Sequence, residues 1–228
     1  MNNLANLNWS IGRFSRAETF YLDSKNIREN SLGTNHPDYA QSLNNLANLY
    51  RDMGDFVQAE KYYLESKAIW EKVYGKEHPD YAQSLSNMAI LYMSSGNYEK
   101  AEPLFLEGKA IREKTLGKEH PDYMKSVNNL AELFQKQSRF LEAEPLFEEG
   151  FTLVQKRLAN AASFLSEQEL SKYVADYHGS YNNLNTFLYR RVTSEAWNTS
   201  HLAFDNALFT KDSFVRGIQT EFTHIVFT

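Results

Sequence analysis

The stretch His36–Glu77, which reads HPDYAQSLNNLANLYRDMGDFVQAEKYYLESKAIWEKVYGKE, decides the fold of this chain because close copies of it follow without a gap. The copies begin at His78 and His120, so the period is 42 residues both times (78 − 36 and 120 − 78). A fixed period of this size is typical of two architectures, the solenoid and the propeller. The apolar pattern inside one copy has to distinguish between them.

Each copy contains two segments whose apolar residues recur at helical spacing. In the copy quoted above these segments are Leu43–Tyr50 and Phe56–Ile69. Between the segments stand Gly54, Gly96 and, in the third copy, Ser138, each at the point where the first helix has to stop. Two helices per copy favour an all-α solenoid over a propeller.

Every copy opens with His-Pro-Asp, at residues 36–38, 78–80 and 120–122. Proline suits the first position of a helix because its missing N–H has no partner there, and an aspartate suits the positive end of the helix dipole. A metal site is the other interpretation of these histidines. Equivalent positions in stacked helices are about 8 to 10 Å apart, whereas zinc ligands converge to about 2 Å from one ion. The segments therefore predict helix starts, with no metal.

The pattern Leu46-Ala47-x-x-Tyr50, followed by Ala59-x-x-x-Tyr63, resembles the tetratricopeptide repeat. The longer unit AIREKTLGKEHPDY at Ala110–Tyr123 resembles the 42-residue version found in kinesin light chains and in many bacterial repeat proteins. This resemblance covers roughly the first two thirds of the chain. It implies an all-α solenoid, a right-handed superhelix of helix pairs, which binds other proteins.

The repeat pattern divides the chain into six segments. We expect a repeat without its front at 1–35, fuller repeats at 36–77, 78–119 and 120–162, two additional C-terminal helices at 163–219, and a tail at 220–228. The C-terminal helices are indicated by a capping box at Ser166–Glu169 and an apolar stripe that follows it. The tail has strand-like composition, and the sequence leaves its origin open.

The C-terminal segment carries a second resemblance. FLSEQEL at Phe164–Leu170 and AFDNALFTKDSFVRG at Ala203–Gly217 are similar to the linker that joins such repeats to caspase-like CHAT domains in bacterial proteins. Lys211 and Asp212 depart from the more apolar run usual in that linker. The resemblance implies that this chain is the recognition region of a larger protease-like protein.

One column of the repeats holds only small residues: Ser24, Ser66, Gly108 and Gly150. Glycine inside a helix costs up to about 1 kcal/mol relative to alanine. Close approach of another backbone explains its presence there. We expect this column to mark where the second helix of each repeat approaches the next repeat.

The first helices of tetratricopeptide repeats line the concave face, and the resemblance implies that their residues off the packing stripe form a groove. The predicted groove residues are Asn3, Asn6, Gln41, Asn44, Asn45, Asn48, Asp52, Gln83, Ser86, Asn87, Ile90, Lys125, Asn128, Asn129, Glu132 and Lys136.

The most regular column of this groove is Asn3, Asn45, Asn87 and Asn129. An asparagine amide both donates and accepts hydrogen bonds, so such a column could bind the main chain of an extended peptide. The matching asparagines of kinesin light chains are implied to do so. The column could equally brace adjacent repeats, and the sequence does not decide between the two roles.

Composition limits the function further. A net charge of −5 argues against a nucleic-acid partner, and the absence of cysteine removes disulfides and cysteine nucleophiles. No signal peptide or membrane span is evident, which favours a cytoplasmic protein without a membrane partner. We predict a non-catalytic scaffold without cofactors that binds a protein or an extended peptide. Self-association through an uncapped N-terminal end is the third hypothesis, beside the protease-associated one.

Overall fold

A computed structural model describes residues 2–162 and Glu169. The helices of residues 2–162 are α1 (Asn2–Ser10), α2 (Phe14–Leu32), α3 (Pro37–Asp52), α4 (Phe56–Tyr74), α5 (Pro79–Ser94), α6 (Tyr98–Leu116), α7 (Pro121–Lys136) and α8 (Phe140–Ala162). The described part of the chain has no strand. The predicted all-α solenoid of helix pairs is confirmed.

The chain divides into two compact units, one spanning Met1–Gln137 and the other beginning at Ser138. The first unit contains α1 to α7. The described helix of the second unit is α8, which has 23 residues where α4 and α6 have 19. The predicted C-terminal helices at 163–219 and the tail at 220–228 lie outside the described residues, apart from Glu169.

The His-Pro-Asp segments begin helices α3, α5 and α7, as the sequence predicted. In each segment the histidine Nδ1 accepts a hydrogen bond from the main-chain N–H of the aspartate, at 3.1 Å for His36, 3.2 Å for His78 and 3.1 Å for His120. The histidine is thus the N-cap and satisfies one of the unpaired N–H groups at the helix start. The sequence pattern placed the proline and the aspartate correctly, but it did not assign this role to the histidine.

The stops between paired helices are also as predicted. Gly54 and Gly96 have φ values of 80° and 77°. Ser138 takes the same conformation with φ of 60°, and it is the one non-glycine residue with positive φ in the described part of the chain. The left-handed conformation ends the first helix of each pair and turns the chain toward the second.

The apolar faces of the helix pairs are covered by neighbouring repeats. In one cluster Ala47 of α3, Ala59 and Tyr63 of α4, and Met88 and Leu91 of α5 pack together. These side chains belong to two consecutive repeats and are 4% exposed or less. Each repeat therefore completes its core only with the helix pair beside it.

The small-residue column packs in a different place from the one we expected. A Cβ at Gly108 would lie 3.3 Å from the carbonyl oxygen of Ala82, which is on α5 of the same repeat. One repeat earlier, the Ser66 hydroxyl donates to the carbonyl of Ala40, on α3 of its own repeat, at 2.9 Å. The prediction that this column approaches the next repeat was wrong. Small residues are needed because the two helices of one repeat approach closely there.

A second column joins consecutive repeats through tyrosine and glutamate. Tyr50 donates to Glu18, and Tyr92 donates to Glu60, both at 2.5 Å. Burial, together with the hydrogen bond to Glu60, raises the pKa of Tyr92 to about 12. In the following repeat Phe134 takes the place of the tyrosine.

Substitution of Gly108 tests the close approach of α5 and α6. We expect Gly108→Val to lower the free energy of unfolding by about 1 to 3 kcal/mol, because the added methyl groups would overpack this contact. Gly108→Ser is the matched control, since Ser66 occupies the same column, and it should cost less. Urea unfolding measures both. Equal stability of the valine variant and the wild type would contradict the packing argument.

Substitution of Tyr92 tests the bond between repeats. Tyr92→Phe should lower the free energy of unfolding by about 1 to 2 kcal/mol at neutral pH, because it removes a hydrogen bond to a charged acceptor. Since folding raises the pKa of Tyr92, its contribution is complete below pH 10 and is lost as the pH rises toward 12. The stability difference between wild type and variant should therefore shrink across that range. Unfolding curves at several alkaline pH values measure it, and a constant difference would argue against this bond.

Candidate binding surface

The first helices of the repeats lie side by side in the first unit. Helix α3 contacts α5, and α5 contacts α7. We call the surface formed by α1, α3, α5 and α7 on the side of the predicted groove residues the first-helix face. Seven of those residues are exposed, namely Asn3, Asn6, Gln41, Asp52, Gln83, Lys125 and Lys136. Seven are half-buried, namely Asn44, Asn45, Asn48, Ile90, Asn128, Asn129 and Glu132. The remaining two, Ser86 and Asn87, are buried.

Asn87 connects two repeats. Its side chain is 8% exposed, and its Nδ2 donates to Oδ1 of Asn44 on α3 at 2.6 Å. Its own Oδ1 accepts from Nε2 of Gln83 at 2.8 Å. These bonds favour the bracing role for this member of the asparagine column.

Asn45 is the member of the column on α3, and it is half-buried. Its Oδ1 accepts from Nε2 of Gln41 at 2.9 Å, so the glutamine and asparagine pair of α5 is repeated on α3. Asn3 of α1 is exposed. Within one column the structure therefore contains both a buried brace and accessible amides.

A second polar column includes Asn6 and Asn48. Tyr21 donates to Oδ1 of Asn6, and Tyr63 donates to Oδ1 of Asn48 at 2.6 Å. Asn48 Oδ1 also accepts from Nη1 of Arg51 at 3.4 Å. One repeat later, Ile90 and Phe105 stand where the asparagine and the tyrosine were. The polar pair is thus replaced as a unit by an apolar pair.

Arg112 lies beneath this surface, and the sequence pattern did not identify it. It extends from α6 and is 2% exposed. Its Nη1 donates to the hydroxyls of Ser86 on α5 and Ser126 on α7, at 3.1 and 2.6 Å. Its Nη2 donates to Oε1 of Gln83 at 2.7 Å. The difference between repeats at this position could have identified it, because Arg112 in the AIREK segment at 110–114 aligns with Trp70 of the preceding repeat.

The guanidinium of Arg112 is held by neutral acceptors. Its hydrogen bonds go to two hydroxyls and one amide, while the carboxylate of Asp122 interacts with it electrostatically without a hydrogen bond among those of the described residues. Burial lowers the pKa of Arg112, although a guanidinium stays charged inside proteins. A buried positive charge therefore lies directly beneath the polar side chains of α5.

An open cavity lies between the C-terminal halves of α5 and α7. It has a volume of about 430 Å³. Its lining consists of Ile90, Met93, Ser94, Gly96, Tyr98, Asn129, Glu132 and Lys136. Four of these eight are predicted groove residues, so the structure brings them together around one depression.

The charged residues of the first-helix face pair with close neighbours. Nζ of Lys136 lies 3.5 Å from Oε1 of Glu132, and Nζ of Lys125 lies 3.0 Å from Oδ1 of Asp122. Arg51 forms an ion pair with Asp52 at 2.8 Å. With these pairs formed, the first-helix face of the described repeats has no arrayed cations of the kind that would clamp a terminal carboxylate.

The described residues contain neither a cluster of metal ligands nor a helix that could span a membrane. No three histidine, aspartate or glutamate side chains among them are grouped so that they could hold a metal ion. None of the described helices combines the length and the apolar character that a membrane span requires.

The repeated helix pairs and the polar first-helix face define an α-solenoid with a surface suited to protein interaction. A model of the tetratricopeptide repeat family matches residues 1–64, 42–113 and 82–156. The chain belongs to the tetratricopeptide repeat family. Repeats of this family generally mediate protein interaction, and the proteins are typically non-catalytic scaffolds.

Solved structures show the same fold. BtubC (BKLC) from P. vanneervenii is similar over 86% of this chain and 80% of its own, with a TM-score of 0.61 and 20% identity. A kinesin-light-chain candidate of Podospora anserina with nearly identical TPR-like repeats is similar over 86% of this chain and 95% of its own, with a TM-score of 0.59 and 22% identity. The apo form of RapI is similar over 79% and 68%, with a TM-score of 0.59 and 17% identity. A comparison with curated proteins found no match.

The similarity to CHAT-linked proteins stays a prediction. The two segments that carry it, at 164–170 and 203–217, lie outside the described residues except for Glu169. Neither the family match nor the solved structures name such a domain. The regulatory role in a larger protease and the cytoplasmic location likewise stay predictions.

Proposed function

We propose that this chain is a non-catalytic scaffold that binds an extended polypeptide segment on the first-helix face. The observation that carries this proposal is the set of half-buried amides on one surface. Asn44, Asn45, Asn48 and Asn129 are each half-buried on α3 or α7. Amide side chains suit main-chain recognition because they both donate and accept hydrogen bonds.

The surroundings of these amides support the same function. The cavity between α5 and α7 places the apolar side chain of Ile90 beside Asn129 and the Lys136–Glu132 ion pair. A ligand side chain could enter this depression while its main chain contacts the amides. Specificity would then come from the positions at which the repeats differ, such as Ile90, where the preceding repeat has Asn48.

Removal of the accessible amides tests the proposal. A peptide is first selected from a random library on the purified chain and its affinity is measured by calorimetry. The double variant Asn45→Ala and Asn129→Ala should lower that affinity by about tenfold or more, because each lost hydrogen bond is worth about 1 kcal/mol. Circular dichroism should show unchanged helicity.

The matched control removes two asparagines elsewhere. Asn26 and Asn30 are exposed on α2, away from the first-helix face. The variant Asn26→Ala and Asn30→Ala should bind the selected peptide like the wild type. An equal loss of affinity in both double variants, or none in either, would refute binding at this face.

A second candidate function is self-association, favoured by the exposed apolar face of α1. Leu4 and Leu7 are 51% and 56% exposed, whereas the residues in the same columns of the three later repeats are 4% exposed or less. In the next repeat Leu46 and Leu49 are covered by Ala17 and Tyr21 of α2. The equivalent face of α1 could pack in the same way against the second helix of another repeat. We propose that a second copy of this chain supplies that helix.

Charge substitution on α1 tests the association. Sedimentation velocity should show a mass that rises with concentration for the wild type. The variant Leu4→Lys and Leu7→Lys should remain monomeric, because lysines oppose burial of this face. Val57→Lys, on the outside of α4 where Val57 is 78% exposed, is the control and should associate like the wild type. A monomeric wild type at high concentration would refute the proposal.

A further inference from the structure

A chain of side-chain hydrogen bonds runs from the buried Arg112 to the first-helix face. Arg112 donates to Gln83, Gln83 donates to Asn87, and Asn87 donates to Asn44, at 2.7, 2.8 and 2.6 Å. The chain crosses three helices, from α6 through α5 to α3. It therefore connects a fixed internal charge with a half-buried amide of the preceding repeat.

The chemistry of arginine fixes the direction of every bond in this chain. A guanidinium has donors and no acceptor, so the atom of Gln83 that faces it must be Oε1. The Nε2 of Gln83 is then left to donate to Oδ1 of Asn87. By the same step Nδ2 of Asn87 donates to Oδ1 of Asn44. The orientation of three amides thus follows from one donor that cannot be reversed.

The last amide of the chain presents donors to solvent. Asn44 uses its Oδ1 to accept from Asn87. Its Nδ2 donates to no protein acceptor among the described residues, and it is not one of the buried unpaired atoms there, which are Asn2 Oδ1 and Gln135 Nε2. The N–H groups of Asn44 are accordingly available to a ligand.

Asn48, also on α3, has its Oδ1 occupied in the same way, but by different hydrogen-bond partners. Oδ1 of Asn48 accepts from the Arg51 guanidinium and from the Tyr63 hydroxyl. Its Nδ2 is therefore also directed away from these partners and is not a buried unpaired atom. Asn44 and Asn48 are one helical turn apart, and so lie on the same side of α3.

We propose that Arg112, acting through Gln83 and Asn87, is a positioning residue that gives this part of the first-helix face a donor polarity. The face then recognises hydrogen-bond acceptors, which are the carbonyl or carboxylate oxygens of an extended polypeptide. This inference rests on the proposed function, since it names the ligand atoms that the same surface binds. It adds that the amides do not serve equally as donors and acceptors.

The substitution Gln83→Glu should reverse the direction of the hydrogen bonds that link position 83, Asn87 and Asn44. A carboxylate accepts hydrogen bonds from Arg112 and from Asn87 but donates none. Asn87 must then turn its Nδ2 toward the carboxylate that replaces the Gln83 amide and its Oδ1 toward Asn44. Asn44 must in turn donate, which leaves its Oδ1 facing solvent. Because the new carboxylate pairs with Arg112, the fold should be retained.

Hydrogen exchange of the side-chain amides, followed by nuclear magnetic resonance, tests the reversal without any ligand. In the wild type, Nδ2 of Asn87 should exchange slowly and Nδ2 of Asn44 rapidly. In the Gln83→Glu variant the Nδ2 of Asn44 should become protected from exchange. The control is Gln41→Glu, which adds the same charge one repeat earlier, where Trp70 stands in place of Arg112. It should leave Asn44 unchanged. Rapid exchange of the Asn44 Nδ2 in the Gln83→Glu variant, or slow exchange of the same group in the wild type, would overturn the proposal.

Peptide titrations test the recognition that follows from this polarity. The probes are three decapeptides with blocked ends in which glycine alternates with serine, glutamate or lysine, and the signal is the shift of the Asn44 and Asn48 amide resonances. Shifts with both the serine and the glutamate peptide identify main-chain carbonyls as the ligand atoms, and shifts with the glutamate peptide alone identify carboxylates. Gln83→Glu should weaken this binding about tenfold, whereas Asn26→Asp, which adds the same charge at an exposed position of α2 away from the first-helix face, should leave it unchanged. A preference of the wild type for the lysine peptide would overturn the recognition.

The two experiments separate this inference from the proposed function. If no peptide shifts the Asn44 resonance while the exchange pattern is as expected, peptide binding at this face is refuted and the orienting role of Arg112 stands. If peptides bind and the Gln83→Glu variant binds the serine peptide as tightly as the wild type, the face binds peptides and the orienting role is refuted.

Discussion

The structure depends on the burial of apolar side chains between consecutive helix pairs. The cluster of Ala47, Ala59, Tyr63, Met88 and Leu91 takes its members from two repeats, so neither pair has a complete core alone. Burial of each large apolar side chain contributes about 1.5 to 3 kcal/mol. The need to cover this face stacks the pairs and places α3, α5 and α7 side by side. The first-helix face is thus a consequence of the same packing that stabilises the fold.

The polar residues of that face are constrained by the core beneath them. Burial of the Arg112 charge would be strongly unfavourable without hydrogen-bond partners, and three acceptors from α5 and α7 supply them. Since one of these acceptors is Gln83, the requirement to satisfy the guanidinium also orients the amides above it. The hydrogen bonds that stabilise the buried charge therefore also determine which polar atoms the surface presents, as far as Asn44 on the preceding repeat.

The fold was predictable from the sequence because the repeat presents the same signals three times. The His-Pro-Asp starts, the glycine stops and the apolar spacing all report local geometry, and even Ser138 was placed correctly by its column. The partner of the small-residue column was not predictable, since spacing shows that Gly108 needs room but not which helix approaches it. The contact to Ala82 follows from three-dimensional packing. The same holds for Arg112, whose partners lie 14 to 29 residues away in sequence.

The differences between repeats carry more information about binding than their similarities. Glutamine and asparagine bond in the same way on α3 and α5, yet only the α5 pair lies over an arginine, because Trp70 fills the equivalent position one repeat earlier and bonds to Ser66 instead. The replacement of Asn48 and Tyr63 by Ile90 and Phe105 is a second such difference. In a strictly identical array every repeat would present the same groups, and a ligand could bind in several registers. Departures that alter polarity at one repeat remove this equivalence, so a bound segment would have one preferred register.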